Sequence, residues 1–89
     1  MVNNNFENMI ADENISKCVA TIYINDEVIA EFKLNIGAID EYDDEIIIYG
    51  DNNDFVVLDN SNITENVDEF DETEFIFGSD NHKIGIIFI

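Results

Sequence analysis

Apolar and polar residues alternate over two early stretches of the chain. Over Lys17–Ile24 and 27–34 every second residue is apolar, the period of a strand with one buried face. A three-residue loop, Asn25-Asp26-Glu27, puts Cys18, Ala20, Ile22 and Ile24 on one face with Val28, Ala30, Phe32 and Leu34. A two-residue loop would mix the faces, so burial predicts the three-residue register. Residues 45–49 and 54–59 (Phe55, Val56, Val57 and Leu58 in the latter) are apolar on both faces, and the turn cluster Gly50-Asp51-Asn52-Asn53 joins them. Such strands are expected inside a sheet or covered on both sides. Residues 74–77 and 83–89 predict a closing hairpin with Phe75 and Phe77 facing Ile84, Ile86 and Phe88. The last strand should be internal, where its backbone groups are paired.

The remaining stretches are weaker. Phe6, Met9 and Ile10 recur at helical spacing after a candidate cap, Asn5, which predicts a short helix over 3–14. Residues 35–44 read as irregular, with Gly37 as a turn residue. Residues 60–73 read as a loop or a short acidic helix, anchored by Ile63, Val67 and Phe70. The expected fold is therefore α+β, mainly β. It is one domain over 1–89, with an antiparallel sheet of about six strands, twisted or barrel-like, and a short N-terminal helix.

Charge changes this picture. The 89 residues carry 21 acids against three basic residues, Lys17, Lys33 and Lys83, for a net charge of −18. Solubility asks for a net charge of only about 2–8. The chain is rich in Ile and Asn, the bias of AT-rich coding, yet that bias also favours Lys, so it does not explain the missing cations. Fifteen of the 21 acids lie between Leu34 and His82, where there is no Lys or Arg. Two runs are densest. One is Asp40, Glu41, Tyr42, Asp43, Asp44 and Glu45. The other spans Glu65, Asp68, Glu69, Asp71, Glu72 and Glu74. These are the candidate partner-binding residues. Extended chain advances about 3.3 Å per residue and nucleic acid carries a phosphate about every 3.4 Å per strand. A solvent-facing acid run therefore approaches the linear charge density of one nucleic-acid strand. If the fold placed both runs on one side, the protein would present two acid ridges to a cationic groove. Tyr42, Phe70 and Tyr49 are candidate anchors among the acids, although Phe70 reads slightly better as a core anchor of its own segment.

Catalytic chemistry finds little support. The chain has one Cys and one His. Cys18 falls on the apolar face of the first hairpin and His82 in a turn, so no nucleophile, base and orienter come together. Paired carboxylates would need a cleft and aromatic sugar platforms, and there is no Trp. The chain is read as a non-enzyme without cofactor. The loops Asp51-Asn52-Asn53-Asp54 and Asp59-Asn60-Ser61-Asn62 hold calcium-type ligands, but Phe55 and Ile63 interrupt the EF-hand pattern. A lone cysteine and the lack of a signal-like or bilayer-length apolar stretch predict a cytoplasmic protein. Nucleic acid and anionic membranes would both repel it.

In size, charge and lack of catalytic groups, the chain resembles the small acidic inhibitors of phages and mobile elements: anti-CRISPR proteins and other DNA mimics. The resemblance is one of composition, with no shared motif. It implies a partner that is a basic nucleic-acid-binding protein, a Cas effector above all, whose DNA site the acids would occupy. The alternatives are an immunity or antitoxin protein against a basic nuclease, and an acidic Ca²⁺-binding module. Monomer and homodimer both remain open.

Overall fold

A computed structural model of the protein describes residues 6, 9–11, 15–59, 63–70, 72–79 and 81–89. Seven strands follow one another along the chain: β1 (Lys17–Ile24), β2 (Glu27–Glu41), β3 (Glu45–Gly50), β4 (Phe55–Asp59), β5 (Ile63–Val67), β6 (Thr73–Ser79) and β7 (His82–Phe88). They form one sheet in the order β4-β3-β2-β1-β7-β6-β5, and every neighbouring pair is antiparallel. The sheet is open, with β4 and β5 as its edges. It is also strongly curled, so that β4 packs against β6 from the opposite half. The inner faces enclose a core of Cys18, Ala20, Leu34, Ile46, Ile48, Val56, Leu58, Phe75, Phe77 and Ile86. Phe6 plugs this core, packed edge-on against Phe75 and Phe77 with ring centroids 5.3 and 5.0 Å away.

The expected helix over 3–14 falls mostly outside the described residues. Phe6, Met9 and Ile10 have helical backbone, but no helical element is seen among the described residues. Three other expectations are corrected. The strand count is seven because Ile63–Val67, expected as loop or helix, is β5. Its apolar residues Ile63 and Val67 are four apart, which fits both a helix turn and alternate positions of a strand. Residues 35–41 are not irregular but continue β2, a 15-residue strand. Gly37 is no turn. It sits where the pairing register shifts between Ile36 and Ala38, where β2 leaves β1 and pairs with β3. Lastly, the first hairpin turns through two residues rather than three. Asn25 and Asp26 have φ of 52° and 67°, the double positive φ of a turn that matches strand twist. The predicted faces survive along most of its length because Ile22 pairs with Ala30 while Tyr23 pairs with Val28. The bulged Ile29 absorbs the offset.

The closing hairpin pairs as expected, Phe75 with Ile86 and Phe77 with Ile84, and β7 is internal between β1 and β6. Among the described residues, no helix is long and apolar enough to cross a membrane.

Candidate functional site

The first acid run turns the chain between β2 and β3. Asp40 and Glu41 end β2, Tyr42, Asp43 and Asp44 form the turn, and Glu45 opens β3. The Tyr42 N–H donates to the Glu45 carbonyl at 2.8 Å and closes the turn. Tyr42 is 51% exposed. On the outer face of this arm the ladder sets Val57 beside Ile47 and Phe55 beside Tyr49. The same ladder sets Asp40 beside Ile47 and Ala38 beside Tyr49. The result is an apolar tract with Asp40, Glu45 and Asp59 around it. Phe55 is 58% and Val57 41% exposed. The expectation that these two strands lie inside the sheet or are covered on both sides therefore holds for β3, which is internal between β4 and β2, and fails for β4, an edge whose outer face is exposed. Desolvation first, and then its hydrogen bond to Asp40, raise the pKa of the Tyr49 phenol.

Glu45 stands directly opposite Asp59 across the β3–β4 ladder. With Asp44 they line one lip of a groove of about 400 Å³. Leu58, Phe77 and Ile84 line its apolar part, and Gly78 and His82 its other lip. The groove is thus suited to a side chain with an apolar stem and a cationic head.

The second run is put to different uses. Glu65 pairs with Phe75, so its side chain points to the inner face. Its Oε1 is buried without a hydrogen-bond partner. Asp68 is a turn-former: its Oδ1 accepts the N–H groups of Phe70 (2.8 Å) and Glu72 (3.0 Å). Glu74 crosses the outer face over Gly85, where a Cβ would strike its carboxylate, and accepts the Tyr23 hydroxyl at 2.7 Å. Burial, together with this hydrogen bond, pushes the Tyr23 pKa up to about 12. Glu69 and Glu72 are exposed, and Asp71 lies outside the described residues. Phe70 is 81% exposed at the turn's apex, so it anchors no core.

The fold does not bring the two runs together. Asp44 and Glu45 share the groove with Gly78 at the end of β6, whereas Asp68 and Glu72 precede its start at Thr73. Seven extended residues separate the ends by roughly 20 Å. Phe55, Val57 and Asp59 were not among the candidates read from sequence. Their signal was present as an apolar strand flanked by acids, but periodicity does not distinguish an edge strand from an internal one.

Burial holds the Cys18 thiol up at about 11, as an inert core group. Among the described residues no group of three or more His, Cys, Asp or Glu side chains is placed to hold a metal ion. Asp51 and Asp54 serve their own loop and its surroundings, accepting from Asn35 Nδ2 and from the Asn52 N–H.

Comparison with known proteins finds no matching family model, no similar curated protein and no similar solved structure.

Proposed function

We propose that this protein is an inhibitor that docks on the cationic nucleic-acid-binding surface of another protein and keeps nucleic acid out. The supporting observation is the outer face of β2, β3 and β4. There exposed Tyr42, Phe55 and Val57 lie among Asp40, Asp43, Asp44, Glu45 and Asp59. Interface energy concentrates in a few apolar and aromatic anchors, and the charges around them steer encounter and select the partner. With a net charge of −18, the partner is strongly basic. The compositional resemblance favours a Cas effector, whose PAM-reading Arg side chains would meet the carboxylates. The placement of the two acid runs toward opposite ends of β6 favours a second reading, an immunity protein that covers a compact exosite on a basic nuclease.

The test is capture of the partner from the native host's lysate on immobilised protein, at low and high salt and with competing duplex DNA. The captured protein should bind DNA itself, and its recovery should fall with salt and with DNA. Reversing Asp43, Asp44 and Glu45 to Lys should abolish recovery. Reversing Asp68, Glu69 and Glu72 should weaken it far less. Recovery indifferent to salt, DNA and both reversals would refute the proposal. If the captured protein is a nuclease bound away from its DNA site, the second reading takes its place.

A further inference from the structure

The free edge of β4 carries an inference about how the partner is held. The Gly50 N–H donates to the Asp54 carbonyl at 2.7 Å, which fixes the alternation of the β3–β4 ladder. The backbone groups of Val56 and Leu58 face β3, and those of Phe55 and Val57 face the open side. Among the described residues β4 has no second strand neighbour. Its side chains alternate exposed, buried, exposed, buried, exposed, with Phe55 and Val57 continuing the apolar tract of Ile47 and Tyr49. The Tyr49 and Phe55 rings lie 6.3 Å apart. Edge strands are ordinarily guarded by Lys, Pro, a bulge or an inward-pointing charge. β4 has none of these, whereas β5, the other edge, carries the inward-pointing Glu65.

We propose that β4 is a strand-addition site, and that its occupant is an extended segment of the partner, apolar at alternate positions and basic at its ends. This rests on the reading of a basic partner. Asp54 precedes the strand and Asp59 ends it, so carboxylates bracket the apolar middle. The incoming backbone pairs with Phe55 and Val57, and its apolar side chains cover those of the same two residues. At the Asp59 end a Lys or Arg lays its stem on exposed Val57 and half-buried Ile84 at the mouth of the adjoining groove, with its head against Asp44 and Glu45. A second copy of this chain is the wrong occupant. It would bring −18 against −18, and antiparallel pairing about Val57 would set Phe55 of each copy opposite Asp59 of the other.

The probe is a synthetic seven-residue peptide of alternating threonine and valine with lysine at each end, titrated into the isotopically labelled protein. The largest amide shifts and the slowed hydrogen exchange should fall at Phe55 and Val57. Binding should weaken with salt and disappear when the end residues are glutamate. Val57→Pro removes an outward N–H while leaving the ladder to β3 intact, and should weaken the peptide about tenfold, the worth of one hydrogen bond. If that variant does not fold, the peptide N-methylated at alternate residues tests the same bonds from the other side. Shifts centred on β5, equal binding of the glutamate-ended peptide, or no saturable shift at millimolar peptide would overturn the proposal. So would self-association of the peptide-free protein through β4. Capture of a DNA-binding protein that Val57→Pro leaves intact would sink this edge and spare the proposed function. Peptide docking without any such capture would do the reverse.

Discussion

The two edges of the sheet have similar lengths and opposite characters. β4 and β5 are five residues each, and among the described residues both pair with a single neighbour. β4 drives Val56 and Leu58 into the core and shows Phe55 and Val57 to solvent. β5 turns Ile63, Glu65 and Val67 to the inner face, where only Ile63 packs against the core and Val67 is mostly exposed. β5 therefore has a weaker hold on the fold and a charge placed where it spoils any strand added outside it. β4 is held firmly from within and left adhesive without. A docking edge has to be rigid to fix register, and an edge that must stay solitary tolerates a poor core contact.

The largest effect should come from testing that difference in hold. Leu58→Ala removes a fully buried side chain from β4 and should cost about 2–5 kcal/mol. Val67→Ala, at an inner-face position of β5, should stay within about 0.5 kcal/mol. Denaturant melts of the two variants measure both. Equal losses would mean the edges are anchored alike.

A smaller effect breaks the comparison from the other side. Glu65→Leu removes a buried carboxylate oxygen that has no hydrogen-bond partner and should raise stability by about 1–3 kcal/mol. The same change leaves β5 unguarded. The variant should then show a second set of amide shifts along β5 with the lysine-ended peptide. A variant that gains stability and still binds only at β4 would show that the inward charge guards nothing.

Much of this architecture is legible in the sequence. Alternation is strongest where one face is buried, so β1, β6 and β7 and their facing residues follow from it. The bulge at Ile29 and the bend at Gly37 do not, because each depends on strands that meet only in the folded sheet. The acid runs are visible as composition, but their roles are not. Glu65, Asp68 and Glu74 look like a ridge in one dimension, and in three they are an inward guard, a turn-former and a cross-strand tie. The apolar β4 reads as an internal strand because its partner, on this proposal, is another molecule.

The smallest effect compares the outer faces of the two halves, each of which ties a tyrosine to a carboxylate. Tyr23 on β1 donates to Glu74 on β6, and Tyr49 on β3 to Asp40 on β2. Both phenols have raised pKa values, Tyr23 from 10.0 to about 12. A raised phenol pKa means the folded state prefers the neutral, donating form. The stability it contributes is complete below pH 10, the unfolded value, and is lost as pH climbs through about 12. Tyr23→Phe should therefore lower stability at pH 8 by about 1 kcal/mol, the worth of a partly exposed hydrogen bond. It should also flatten the decline between pH 10 and 12. Tyr49→Phe should change both less, because that hydroxyl lies on the more open face. Ultraviolet titration of the single variants assigns each phenol, and melts across the same pH range supply the stabilities. Loss of the alkaline decline in Tyr49→Phe rather than Tyr23→Phe would place the stronger tie in the β4 half, and the rigidity argued for that edge would then come from its outer face as well as its core.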